Sequence, residues 1–151
     1  MDVYYKNELL NKNSNPITVK NMYGLEFSDG SKIIVYPTSV KSKCSNGKIT
    51  SNGSDKTMIA TISLPGYFSA PPINSIITGL LIPTMIDYDT ASTSGGAGGY
   101  LTDKVVNTSC TYSSYAQLGS TGVKINIEFS SIPTNATEIT AFFTYLFIFP
   151  N

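Results

Sequence analysis

Near its end the chain reads EITAFFTYLFIF over residues 138–149. Side chains at odd and even positions of a strand point to opposite faces of the sheet. The odd positions here carry only apolar or aromatic side chains, and the even positions include Phe142, Leu146 and Ile148. A strand with two apolar faces is expected to be covered on both sides. This stretch therefore predicts a long strand whose second face is buried against another copy of the chain.

The composition also favours association. Charged residues make up 13% of the chain, about half of the usual ~25%. The chain therefore either buries much of its exterior against other chains or has the Ser-, Thr- and Asn-rich surface of an extracellular domain. We predict an oligomer or a member of a large assembly, with an interface formed by the aromatic side chains of the terminal stretch. These residues are Phe142, Phe143, Tyr145, Phe147 and Phe149.

The rest of the chain has the pattern of short strands joined by turns. Residues 57–64 alternate with a period of two, which indicates a strand. The pair Asp29-Gly30 lies between apolar runs and is a strong hairpin signal, because glycine adopts the positive φ of such turns. About eight such strands predict an all-β fold, an antiparallel β-sandwich or jelly-roll-like domain.

Some segments are expected to interrupt this pattern. Pro37 cannot donate a ladder hydrogen bond and is expected to end the strand after the first hairpin. Gly79 and Pro83 are expected to interrupt a buried strand over residues 73–85. The polar residues 41–56 predict either a small hairpin or an exposed loop.

The chain divides into two parts. Residues 1–15 are polar and precede a cluster of strand-breaking residues, so we interpret them as an N-terminal arm or attachment segment. Residues 16–151 are predicted to form a single β-sandwich domain. The N-terminus does not resemble a secretory signal, and no apolar run is long enough to span a membrane as a helix. We therefore expect synthesis in the cytoplasm and no insertion into a membrane.

The available side chains argue against catalysis. The chain has no histidine, which removes the usual general base and the commonest metal ligand. The glycine-rich residues 95–99 are not followed by Lys-Ser or Lys-Thr, as a phosphate-binding loop requires. Cys44 and Cys110 form neither a metal motif nor a redox pair, and can be free thiols or one disulfide. We predict no enzyme activity and no cofactor.

The charge balance argues against two classes of partner. Ten lysines balance ten acidic residues, arginine is absent, and the formal net charge is zero. Nucleic-acid binding depends on a net positive surface, often with arginines on phosphate or guanine, so it is not expected. A polybasic patch for anionic membranes is also missing.

An acidic pair is one candidate binding site. Asp87 and Asp89 share a face of any extended segment, where they could accept hydrogen bonds from sugar hydroxyls. Together with Asp103 they are also a weak candidate for Ca²⁺, which prefers oxygen ligands. The plain alternative is a solvated loop mouth.

Tyrosine is the second candidate signal, with ten tyrosines and no tryptophan in the chain. Tyrosine supplies broad contact area at low entropic cost. The alternative is that these residues are half-buried strand positions with hydrogen-bonded hydroxyls. The tyrosines predicted to line a receptor or glycan groove are Tyr88, Tyr100, Tyr112 and Tyr115.

Residues 24–34 read GLEFSDGSKII, and residues 62–72 read ISLPGYFSAPP. The first stretch resembles the opening hairpin of the C-terminal, receptor-binding tip domains of bacteriophage tail and head fibre proteins. The second resembles an apolar strand of the same family that ends in Phe-x-x-Pro-Pro. The order matches over residues 22–151, although Val35-Tyr36 stands where that family often has Gln-Trp. The resemblance implies a homotrimer that recognises a host surface, usually a saccharide, but it identifies no binding residue.

These observations predict a fibre protein of a bacteriophage or other virus, located in the virion beside other virion proteins. Its β-rich tip is expected to bind a saccharide receptor on the host surface. One alternative is a purely structural virion component, such as a head fibre, a capsid decoration or a baseplate protein. The other is a lectin or adhesin module outside viruses.

Overall fold

The structure of the chain, a computed structural model, is all-β. Over the described residues it contains no α-helix, and no helix there is long and apolar enough to cross a membrane. The described residues are 4–5, 8–9, 17–21, 24–62, 76–93, 97–115 and 120–149. Side chains are described over residues 24–62, 76–93, 97–112 and 122–149.

Thirteen strands and one 3-10 turn, Thr102–Lys104, make up the regular structure of this part. The strands are β1 (Tyr4–Tyr5), β2 (Glu8–Leu9), β3 (Ile17–Asn21), β4 (Gly24–Phe27), β5 (Lys32–Ser45), β6 (Lys48–Ile49), β7 (Gly53–Ser54), β8 (Thr57–Ile62), β9 (Ile76–Thr90), β10 (Gly99–Tyr100), β11 (Val105–Tyr115), β12 (Ser120–Phe129) and β13 (Ala136–Phe149).

One antiparallel sheet joins most of these strands. Its order is β3-β4-β5-β13-β9-β11-β12-β8-β7, with β6 beside β5 and β10 beside β9. Strands β1 and β2 pair only with each other. The prediction of an all-β, antiparallel fold is confirmed. The hydrogen bonds form a single large sheet with β13 near its middle.

Two tight turns show how the sequence sets the register of hairpins. Gly30 has a φ of 90°, and the N–H of Phe27 donates to the carbonyl of Ser31 at 2.9 Å, which closes the predicted β4–β5 hairpin. Asn46 and Gly47 have φ values of 51° and 73°, the positive pair of a type I′ turn. This second turn joins β5 to β6, so the polar segment forms the small hairpin and not an open loop.

Strand β5 continues through Pro37, so the prediction that this proline ends the strand is wrong. β4 pairs only with the first residues of β5, from Lys32 to Ile34. Pro37 therefore has a strand partner, Thr144 of β13, on one side and no β4 residue on the other. A missing N–H is tolerated where a strand has an unpaired side.

Strand β9 also continues through both predicted interruptions. Its register against β13 shifts between Phe142, which faces Met85, and Phe143, which faces Pro83. Thr84 is therefore the extra residue of a β-bulge. The hydroxyl of Thr84 donates to the carbonyl of Phe142 at 3.0 Å. Pro83 thus bends the ladder locally and does not end the strand.

One face of the sheet, the inner face, forms the core. It carries the odd-numbered residues of β13 from Ile139 to Phe149, all at most 3% exposed. Because alternate residues of each strand share this face, the core also takes its members from six other strands. These include Ile34, Val40, Met58, Leu81, Ile86, Cys110, Tyr112, Val123, Ile125, Ile127 and Phe129.

Both cysteines belong to this core. Cys44 and Cys110 are free and buried, which excludes the disulfide alternative. Burial penalises the thiolate and raises the pKa of each thiol to about 11. Neither thiol is therefore a good nucleophile near neutral pH.

The centre of the inner face depends on Gly79. Tyr112 of β11 and Phe147 of β13 meet edge-on with ring centroids 6.5 Å apart, although β9 lies between their strands. A Cβ at position 79 would lie 2.5 Å from Cε1 of Phe147 and 2.5 Å from the Leu146 carbonyl oxygen. The absent side chain leaves room for the Phe147 ring above β9.

The substitution Gly79→Ala should lower the free energy of unfolding by about 1–3 kcal/mol, the usual cost of overpacking a core. Its methyl group would press on the Phe147 ring and on the β13 backbone. Chemical denaturation measures the effect, with Thr78→Ala as the control because Thr78 is exposed on the opposite face. Equal stability of the two variants would contradict this account of the core.

Candidate functional site

The outer face of the three central strands β5, β13 and β9 is apolar over much of its length. Six of its side chains are between 39% and 57% exposed, a large fraction for aliphatic and aromatic residues. We call this surface the apolar outer patch. It consists of Val35, Leu80, Ile82, Met85, Phe142, Leu146 and Ile148.

Strand register makes the patch continuous. Leu146 of β13 lies opposite Val35 of β5 on one side and Leu80 of β9 on the other. Directly opposite residues have Cβ atoms about 4.5–5.5 Å apart, so these side chains form one row across the three strands. Phe142 and Met85 form a second such pair next to the bulge. Around Phe142 the surface has a shallow depression lined in part by Pro37 and Thr84.

The outer face of the neighbouring strands is polar by contrast. Strand β12 presents Lys124, Asn126 and Glu128 there, and β11 presents Ser109. The amide of Asn126 donates to the hydroxyl of Ser109 at 3.3 Å. The apolar outer patch is therefore confined to the middle of the sheet.

At one end of the patch the same three strands become charged. We call this group the charged row. Glu138 of β13 lies between Lys43 of β5 and Asp89 of β9, and Thr140 of β13 lies between Lys41 of β5 and Asp87 of β9. Positive side chains thus lie on β5, and two carboxylates lie on β9. Glu138 of β13 separates them.

Glu138 is held by both lysines of the charged row. Its carboxylate oxygens lie 2.6 Å from Nζ of Lys43 and 3.5 Å from Nζ of Lys41. The hydrogen bond from Lys43 lowers the pKa of Glu138, and the same contact raises the pKa of Lys43. These are exposed lysines, so the pairs contribute little to stability on their own.

The β9 carboxylates have a different environment. Within the described part of the chain, no lysine lies within ion-pair distance of Asp87 or Asp89. Partial burial raises the pKa of Asp87, and the nearby charge of Asp89 raises it further, against a smaller opposite effect of Lys41. These two carboxylates are placed beside charge of their own sign without a direct partner.

Tyr100 stands next to this acidic pair. It lies opposite Asp87 in the β9–β10 ladder, on the outer face, and is 64% exposed. Tyr88 points to the inner face, where its ring packs against the core. A Cβ on Gly99 would come within 2.8 Å of that ring, so the glycine lets β10 approach β9. Of the two, Tyr100 is the more exposed, and Tyr88 is only partly buried.

The other two predicted tyrosines are not part of this surface. Tyr112 is 2% exposed and contacts the rings of Phe147 and Phe149, so its prediction as a groove residue is wrong. Its burial agrees with the alternative interpretation, in which these tyrosines are buried strand residues. Tyr115 is the last residue of β11, and its side chain lies outside the described residues.

The predicted oligomer interface needs a larger correction. Four of the five residues predicted for this interface are at most 3% exposed in the core of the single chain, where a second copy cannot reach them. Strand alternation places only Phe142, 39% exposed, on the outer face. The wrongly assigned residues are Phe143, Tyr145, Phe147 and Phe149.

The calcium candidate is also wrong. Asp103 lies in the 3-10 turn and approaches Lys104 at 3.8 Å, separate from the carboxylates of β9. Among the described residues, no three acidic, histidine or cysteine side chains come together as a metal site requires. The acidic pair therefore has no third ligand in this part of the chain.

Sequence reasoning missed several members of the surface. The apolar pattern of residues 73–85 predicts a buried strand, and this prediction does not place Leu80 and Ile82 on the exposed outer face. Lys41 and Lys43 lay in a segment expected to be a loop or hairpin. Their period-two spacing is the signal that could have placed them on one face.

In the single chain, the carboxyl group of Asp87 should titrate above its ordinary pKa. Asp89→Asn should lower that pKa, because it removes a neighbouring like charge. Asp103→Asn is the matched control and should leave it unchanged. A carbon-detected NMR titration measures all three, and an Asp87 that titrates at its ordinary value would contradict the described environment.

Comparisons with known proteins add no relative. No family model, curated protein or solved structure matches this chain. The assignment of a role to this surface therefore depends on its residues and their chemistry. The likeness of residues 22–151 to fibre tips stays a prediction.

Proposed function

We propose that this chain is a fibre protein of a virus particle that assembles as a homotrimer and presents its β-rich tip to a saccharide on the host surface. In this proposal the sheet closes over its inner face as a sandwich-like domain. The apolar outer patches of three copies meet at the centre. The resemblance of residues 22–151 to bacteriophage fibre tips supports the viral assignment.

The apolar outer patch is the observation that carries the proposal. It spans three strands about 4.8 Å apart and several residues that rise ~3.3 Å each, so it covers an area of a few hundred Å². A contiguous apolar patch of a few hundred Å² is about as large as a typical soluble monomer exposes, and such patches are often functional. Fully burying one Leu or Ile side chain contributes about 1.5–3 kcal/mol, so association of such patches is favourable.

The double substitution Leu80→Lys and Ile148→Lys should convert the trimer to monomers at micromolar concentration. Both side chains are more than half exposed in the single chain, so the change should leave folding intact. It would place charges inside the apolar contact, which is costly. Sedimentation velocity measures the mass, and circular dichroism checks the fold.

Ile59→Lys provides the matched control for this experiment. Ile59 is an exposed aliphatic residue, 37% accessible, on the outer face of β8 and outside the patch. The control should remain trimeric. A wild-type chain that sediments as a monomer at micromolar concentration would overturn the proposal.

Receptor binding has a separate observation in its favour, the exposed ring of Tyr100. This ring follows the loop between β9 and β10, where Thr90, Ser92 and Thr93 hold one another through hydroxyl hydrogen bonds of 3.0 and 3.1 Å. Exposed tyrosine beside short hydroxyl side chains is typical of adaptable recognition surfaces. It offers a flat apolar face for a sugar ring.

We expect the wild-type trimer to bind a defined group of saccharides on a glycan array. Tyr100→Ala should weaken that binding by at least roughly tenfold, equivalent to about 1.4 kcal/mol. Tyr100→Phe should retain most of it, because the ring remains. Val106→Ala, at another exposed apolar residue, is the control and should bind like wild type.

The array also separates receptor binding from a purely structural role. A trimer that binds no saccharide but attaches to virus particles would favour a head fibre, capsid decoration or baseplate component. Saccharide binding that persists in Tyr100→Ala would place the receptor site elsewhere on the chain.

A further inference from the structure

We infer that neighbouring copies pack side by side with their β13 strands parallel, so that Lys41 and Lys43 of one copy face Asp87 and Asp89 of the next. This inference rests on the homo-oligomer proposed above. It goes further by assigning the charged row as the device that sets the direction and order of the copies.

The distribution of charge identifies a second copy of the chain as the occupant of the patch. The β5 side of the charged row carries Lys41 and Lys43, and the β9 side carries Asp87 and Asp89, which lack an ion-pair partner within the described part of the chain. A partner with a single sign of charge would be repelled by one side or the other. The chain itself offers both signs at the same height along the strands, and its net charge is zero.

Rotation about an axis parallel to β13 brings these opposite charges together. Such a rotation keeps the strand direction, so the charged row of one copy lies level with that of the next. With β13 nearest the axis, the β5 edge of the patch meets the β9 edge of the neighbouring copy. Each apolar row then also meets an apolar row at the same height.

The opposite orientation is disfavoured by desolvation. An axis perpendicular to the strands would invert the neighbour and place Asp87 and Asp89 against aliphatic residues such as Ile148. Burying carboxylates without partners costs several kcal/mol. The charged row therefore acts against the inverted arrangement, as charge patterns do at specific interfaces.

This arrangement removes Asp87 and Asp89 from the candidate saccharide contacts. Tyr100 lies opposite Asp87 on the same face, in β10 beyond β9, and so borders this contact. Assembly and recognition then use adjacent but different residues of the same face.

Disulfide cross-linking of the full chain tests the arrangement. In the double variant Lys43→Cys and Asp89→Cys, the new cysteines of one chain are separated by β13. Two strand spacings of about 4.8 Å place their Cα atoms ~9.6 Å apart, beyond the ~7 Å that a disulfide can span. Any disulfide between positions 43 and 89 must therefore join two copies. The natural Cys44 and Cys110 are buried and should not compete.

Mild oxidation of the double variant should give covalent dimers and trimers on a non-reducing gel, and each single variant should stay uncrosslinked. A covalent dimer of a single variant would show that the β5 edges or the β9 edges of two copies face each other, which overturns the inference. A double variant that sediments as a trimer yet forms no cross-link would overturn it as well. If the wild-type chain sediments as a monomer before oxidation, the proposed homo-oligomer itself is refuted.

Discussion

Strand β13 is paired on both sides, by β5 and β9, and this constraint determines both faces of the molecule. Its side chains can only alternate between the faces, so one register commits the odd positions to the core and the even positions to the exterior. A slip of one residue would exchange the two sets. The buried Phe147 and the exposed Ile148 are therefore consequences of the same pairing.

The inner face is organised around aromatic rings more than around polar partners. Tyr145 is completely buried, its ring lies 5.8 Å from that of Tyr36, and its hydroxyl has no hydrogen-bond partner in the described part of the chain. Burial raises the pKa of Tyr145 well above its ordinary value. An unsatisfied buried hydroxyl costs about 1–3 kcal/mol. The ring of Tyr145 is instead packed against those of Tyr36 and Phe147.

Local patterns predicted local structure well and long-range structure poorly. The hairpin at Gly30 and the alternation of β13 depend on neighbouring residues, so both could be predicted from sequence. Which of the adjacent rings Phe142 and Phe143 is buried depends on pairing with β5 and β9. The polar residues Glu138, Thr140 and Thr144 at even positions already favour the odd face as the core. The charged row was missed because Lys43 and Asp89 come together only through the register of three strands.

The two halves of the outer face supply different parts of an interface. Apolar burial is non-directional, so the patch alone would favour contact between copies in several orientations. Exposed charges add little affinity, yet they discriminate strongly between orientations. The lysines of β5 and the carboxylates of β9 lie at the same end of the patch, so in the proposed assembly a parallel neighbour meets both the apolar and the charged residues. Under the proposed assembly, a chain with few charges could still specify one orientation, because its charged row lies at one end of the apolar outer patch.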